Sequence, residues 1–112
     1  MLKLSFKLIT NGSEIINETS NYFIKDNVIN FKINEETYSY NLIDDTMIKK
    51  NKESSININL KNKIIQITLL EQGLTFDMEI IDSKVKKDSN LIEFEYTFES
   101  DEKTTNCITI NY

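Results

Sequence analysis

Residues 92–98 read IEFEYTF, with an apolar side chain at every second position and an acidic or hydroxyl side chain between. Successive side chains of a β-strand point to opposite faces, so this pattern predicts a strand with one buried and one solvated face. The same alternation recurs in LKLSFKL at 2–8, IIQITL at 64–69 and LTFDMEI at 74–80. Helical periodicity is hard to find along the chain, and we therefore predict an all-β protein.

Short polar turns divide the chain into about nine predicted strands. Asn11-Gly12 and Asp26-Asn27 are two-residue hairpin signals, because these residue types tolerate positive φ angles. Glu71-Gln72-Gly73 suits a three-residue loop with its glycine in the left-handed region. Two segments break the alternation. Residues 44–54 are predicted as either a short helix or a polar loop, and residues 82–90 as a charged loop with a short extended piece around Val85.

The short turns also predict the topology. Strands joined by two to four residues must pair antiparallel with their sequence neighbours, which makes a meander in a single domain over residues 1–112. Closing such a sheet removes its edges. We therefore predict an antiparallel meander of about eight to nine strands closed into a small barrel, with a two-sheet β-sandwich as the alternative. The inward residues are large, which predicts a filled interior or a narrow apolar pocket.

Composition excludes several functional classes. The chain has 13 lysines, no arginine and 18 acidic residues, a net charge of −5, which argues against nucleic-acid binding. The lack of histidine and the single cysteine, Cys107, exclude histidine-dependent triads and Cys/His zinc sites. No stretch approaches the roughly 20 apolar residues of a membrane helix, and the N-terminus lacks a signal-peptide run. We expect a cytoplasmic protein with no membrane association, cofactor or metal.

The C-terminal half carries a resemblance to a known family. Residues 65–73 (IQITLLEQG), 74–78 (LTFDM), 92–98 and 106–110 (NCITI) resemble the corresponding strands of the YwiB-like proteins, a bacterial family of unknown function. Those proteins have a lipocalin-like (calycin) barrel. The resemblance therefore implies a calycin-like barrel and adds no activity to it.

Inward-facing aromatic and methionine side chains are the candidate ligand contacts. A buried tyrosine hydroxyl needs a hydrogen-bond partner, and near a barrel mouth it could orient a ligand. The alternative is that these hydroxyls simply reach solvent at the rim. The candidate ligand-binding set is Tyr38, Tyr40, Phe76, Met78, Phe94 and Tyr96.

Paired carboxylates are the other candidate site. Asp77 and Glu79 share the outward face of one predicted strand, and Glu93 and Glu95 share that of its neighbour. Such a cluster has three interpretations: a solvated acidic face, a protein-docking surface, or a metal or acid–base site. We thus expect a non-enzymatic barrel that binds a small apolar molecule. The alternatives are a protein-interaction module, homodimerisation included, that uses the acidic strands, and a carboxylate hydrolase.

Overall fold

The computed structural model describes residues 2–112, and every regular element in them is a β-strand. The ten strands are β1 (Lys3–Thr10), β2 (Ser13–Lys25), β3 (Val28–Ile33), β4 (Glu36–Asn41), β5 (Thr46–Lys50), β6 (Ser54–Asn59), β7 (Ile64–Leu69), β8 (Leu74–Asp88), β9 (Leu91–Glu99) and β10 (Lys103–Asn111). No helix in this part of the chain has the length and apolar character needed to cross a membrane.

The strands form one closed antiparallel barrel. Each strand pairs with its sequence neighbours, and β1 pairs with β10 to complete the ring. This confirms the predicted meander and barrel, with ten strands rather than eight or nine. The predicted turns are also present: Asn11 and Gly12 have φ angles of 49° and 83°, Asp26 and Asn27 of 52° and 66°, and Gly73 has a φ of 66°.

Both segments expected to interrupt the strands are mostly extended. The helix or loop predicted for residues 44–54 and the charged loop predicted for residues 82–90 are therefore wrong, although the extended piece expected around Val85 is present as part of β8. Residues 46–50 form β5, between β4 and β6, rather than a helix or loop. The alternation is concealed there because Lys49 faces inward while Ile48 faces outward. Residues 82–88 continue β8 along β9. An extra residue, Ile81, bulges from β8 and shifts the alternation, so that polar Ser83 and Lys87 take the inward positions.

β2 and β8 are the two corner strands of the barrel. Residues 13–21 of β2 pair with β1, whereas residues 22–25 pair with β3. In β8, residues 74–79 pair with β7, and residues 80–88 pair with β9. Each corner strand therefore passes from one sheet to the other. The result is two sheets that share their outer strands and pack their apolar faces together.

The barrel has two different ends. We call the end with the turns at 11–12, 34–35, 51–53, 70–73 and 100–102 the mouth end, and the end with the turns at 26–27, 42–45, 60–63 and 89–90 the floor end. At the floor end, the Tyr40 hydroxyl donates to Asp45 Oδ1 at 2.9 Å. Lys87 Nζ lies 2.8 Å from the same oxygen and donates to the carbonyl of Leu42 at 2.9 Å. These bonds tie the C-terminal half of β8 to the β4–β5 turn.

Candidate functional site

A cavity of about 210 Å³ lies inside the barrel toward the mouth end. Inward-facing residues of eight strands form its wall, and most of them are apolar. The wall consists of Phe6, Leu8, Tyr38, Met47, Lys49, Ile56, Ile58, Ile65, Ile67, Met78, Tyr96, Phe98, Asn106 and Ile108.

The cavity results from unequal filling of the two barrel ends. Toward the floor, Ile29, Tyr40, Ile80, Ile92 and Ile110 are almost completely buried, and none of them lines the cavity. Toward the mouth, several wall residues are only partly buried, and those are Leu8, Ile56, Ile67, Met78 and Phe98. We infer that the cavity reaches the surface at the mouth end and is closed at the floor end.

A hydrogen-bond chain holds the polar groups on one side of the wall. Asn106 Nδ2 donates to the Tyr96 hydroxyl at 3.0 Å, and Thr10 Oγ1 donates to Asn106 Oδ1 at 2.6 Å. Burial raises the pKa of Tyr96, although the bond from Asn106 opposes this shift. The Tyr96 hydroxyl is therefore protonated near neutral pH and already has a protein partner.

The opposite side of the wall carries a lysine and a second tyrosine. Lys49 Nζ lies 3.4 Å from Glu36 Oε2, and the two side chains are 30% and 25% exposed. Asn51 Nδ2 donates to the same glutamate oxygen at 3.3 Å. Tyr38, directly opposite Lys49 on β4, is only 2% exposed. Burial, with smaller contributions from Glu36 and Tyr96, raises the Tyr38 pKa, so its hydroxyl is also protonated at neutral pH.

The structure brings three of the six predicted ligand residues into the wall, namely Tyr38, Met78 and Tyr96. Tyr40 and Phe94 belong to the packed core below the cavity, where their rings lie 5.4 Å apart. Phe76, opposite Ile67 of β7, is 47% exposed and does not line the cavity. The side chains of Tyr38, Tyr40 and Tyr96 are therefore buried inside the barrel and not exposed at its rim.

Two polar wall residues were missed by the sequence reasoning. Lys49 lies on β5, which breaks the apolar alternation and was not predicted as a strand. Asn106 precedes Ile108 and Ile110 at the same spacing of two along β10, and this pattern alone already places it on the inward face. The alternation thus contained a signal for Asn106, whereas Lys49 required the strand to be known first.

The bend in β8 separates the predicted acidic pairs. Asp77 and Glu79 lie beside β7, where Gln66 Nε2 donates to Asp77 Oδ1 at 3.3 Å. Glu93 and Glu95 lie beside the far half of β8, directly opposite Lys86 and Lys84. Oppositely charged partners therefore face the second pair across the strands. Within residues 2–112, no three His, Cys, Asp or Glu side chains are grouped closely enough to hold a metal ion.

A larger depression, of about 680 Å³, lies around β2, β3 and β4. Its border includes Phe23, Asn30, Lys32 and Ser39, which are exposed or half-buried. Ligand sites usually surround most of their ligand's surface. The interior cavity does so with side chains from eight strands, and for that reason we regard it as the candidate site.

Comparisons with protein-family models, with curated proteins and with solved structures gave no significant match. The resemblance to the YwiB-like family therefore stays a prediction, and the proposed function depends on the cavity itself.

Proposed function

We propose that this protein is a non-enzymatic barrel that binds a small apolar molecule in the mouth-end cavity. The observation that carries this proposal is the cavity of about 210 Å³ with a mostly apolar wall inside the barrel. Removing apolar surface from water on such a wall is favourable by roughly 25 cal/mol per Å². The closed floor gives the ligand one route in and out.

The volume limits the size of the ligand. An apolar cavity of about 150 Å³ inside a protein can bind benzene, whereas drug-sized ligands usually occupy about 300–1,000 Å³. The present cavity lies between these sizes, at about 210 Å³. A monocyclic aromatic molecule or an alkyl chain of about six carbons is the class of ligand that it fits.

Titration of the ¹⁵N-labelled protein with toluene and with 1-hexanol tests the proposal. We expect amide shifts concentrated on the mouth-end halves of the strands that form the wall. Ile67→Trp places a large ring in the cavity and should abolish binding. Gln66→Trp is the matched control, because Gln66 is the adjacent residue on the exposed outer face of β7 and should leave binding unchanged.

Circular dichroism and urea unfolding of both variants establish that they fold. Met78→Trp, on the adjacent strand β8, repeats the block at a second position in the wall. Equal binding by the wild type and both blocked variants contradicts the proposal. Shifts that map to the floor end or to the outer face contradict it as well.

A further inference from the structure

Lys49 is the charged residue of a wall whose other residues are mostly apolar. It faces inward between Tyr38 on β4 and Ile56 on β6, its direct cross-strand neighbours. Its side chain is 30% exposed, so the charge is partly withdrawn from water. Such a charge is costly unless it is paired, and a methionine or leucine would fill the same space without that cost. The position of Lys49 therefore calls for an anion within its reach.

Glu36 is the anion nearest to Lys49, but the distance between them is longer than that of a strong ion pair. It lies at the start of β4 beside the mouth-end turn and is not part of the cavity wall. Its Oε2 is 3.4 Å from Lys49 Nζ and 3.3 Å from Asn51 Nδ2. Strong charge-assisted bonds of this kind are about 2.7–2.9 Å long. A carboxylate that entered the cavity could therefore replace Glu36 on Lys49, while Glu36 turned outward to solvent.

The Tyr38 hydroxyl supplies a second, independent observation. Its ring is clamped by Phe31 and Phe6, at centroid distances of 5.0 Å and 4.9 Å, and the side chain is 2% exposed. Among residues 2–112, no side chain or backbone group makes a hydrogen bond with its hydroxyl, although the residue lines the cavity. That oxygen is not among the fully buried polar atoms that lack a partner, so it keeps some access to solvent. An acceptor atom in the cavity can therefore take the hydrogen bond that the hydroxyl otherwise donates to water.

We propose that the bound molecule carries a small anionic group, such as a carboxylate, which accepts hydrogen bonds from Lys49 and Tyr38 in place of Glu36. This inference rests on the proposed binding function and specifies its ligand class: an amphipathic monoanion with an apolar body of about six carbons. The apolar body occupies the wall below these two residues, between Met47, Ile58 and Ile65.

The test compares hexanoate with 1-hexanol, which share the alkyl chain and differ in the charged group. Isothermal titration at pH 7 should give at least about tenfold tighter binding for hexanoate, the ratio that corresponds to one charge-assisted bond of about 1.4 kcal/mol. Lys49→Met should remove this preference and leave hexanol binding within about twofold. Lys50→Met is the matched control, because Lys50 is the next residue on β5 and faces solvent.

Two further variants separate the proposed roles. Tyr38→Phe keeps the stacked ring and should weaken hexanoate by about fivefold with little effect on hexanol, because only the hydroxyl is lost. Glu36→Gln removes the competing carboxylate and should strengthen hexanoate binding. A purely structural Lys49–Glu36 pair predicts no such gain, so this variant also decides the question if Lys49→Met fails to fold.

The failures of the two proposals are distinguishable. Hexanol binding in the cavity with no preference for hexanoate overturns the anion site and leaves the apolar binding function intact. Absence of binding by both molecules overturns the binding function and the anion site together. Tighter hexanoate binding that persists in Lys49→Met overturns the assignment of the anion to this lysine.

Discussion

The three most deeply buried tyrosine hydroxyls have different surroundings, although all three are inside the same barrel. The Tyr40 hydroxyl donates to Asp45, the Tyr96 hydroxyl accepts from Asn106, and Tyr38 is one of the residues that line the cavity. Burial is the first cause of a raised pKa at each of them. At Tyr40 the bond to Asp45 and the charge of that carboxylate raise the pKa further.

These raised pKa values predict a loss of stability at alkaline pH. A tyrosine in the unfolded chain titrates near pH 10, and the folded-state pKa values lie above it. The stabilisation is therefore complete below about pH 10 and is lost as pH rises toward the folded-state values. Each buried tyrosine should contribute a slope of about 1.4 kcal/mol per pH unit in that range. Urea unfolding at several pH values from 8 to 11.5 measures this slope.

Tyr40→Phe should make the unfolding free energy fall less steeply with pH above pH 10, by the contribution of one tyrosine. The variant loses the hydrogen bond to Asp45 and should be less stable than the wild type at pH 8. Its unfolding free energy should then approach that of the wild type as pH rises. An unchanged slope in Tyr40→Phe would show that other groups govern alkaline unfolding.

At the scale of the strand, the bulge at Ile81 determines which side chains of β8 face solvent. Without an extra residue, the alternation that places Ile80 inward would also place Lys84 and Lys86 inward. The bulge shifts the register by one, so these lysines face outward opposite Glu95 and Glu93. The charge pattern of β8 and β9 thus matches this register and disfavours the one without the bulge.

A charge exchange across β8 and β9 tests this register. Lys84→Glu with Lys86→Glu places like charges opposite each other and should destabilise the protein by about 1–2 kcal/mol. Adding Glu93→Lys and Glu95→Lys should restore most of that loss. Lys25→Glu with Lys52→Glu is the charge-matched control, since both lysines are exposed at the ends of other strands. Urea unfolding at low and high salt measures the effect, which should shrink in salt. A four-residue exchange that does not recover stability contradicts the pairing.

The alternation predicted the strands wherever the inward face is uniformly apolar, as in β9 with Ile92, Phe94 and Tyr96. It failed where polar residues occupy inward positions, at Lys49 in β5 and at Ser83 and Lys87 in β8. Local pattern cannot distinguish an inward lysine from a break in the strand. The cavity was foreseen only as a narrow pocket, because its position depends on how ten strands close and on which end the large side chains fill.

At the scale of the whole molecule, nine of the ten strand pairings join consecutive strands. The pairing of β1 with β10 is the exception, and it closes the ring. Its register places Ser5 opposite Asn111, so the beginning of β1 and the end of β10 lie side by side at the floor end. If a linker joins the end of β10 to the beginning of β1 and the chain is cut at another hairpin, nine of the strand pairs are again consecutive in sequence. The tenth pair then joins the new first and last strands.

This equivalence predicts that the barrel tolerates circular permutation. A permutant that starts at Asp101, with Tyr112 joined to residue 2 by about five Gly and Ser residues, turns β10 and β1 into a hairpin and makes β9–β10 the distant pair. We expect a folded monomeric barrel with a Tm within about 5 °C of the wild type, a shift that corresponds to about 1 kcal/mol. The comparison is a chain that ends at Ser100, which lacks β10 and leaves edges of β1 and β9 unpaired, and this chain should unfold or aggregate. Circular dichroism, thermal melting and gel filtration measure both chains. In a closed meander, the chain can be opened at any hairpin without losing a strand pairing. A permutant as disordered as the truncated chain would therefore contradict the closed meander order.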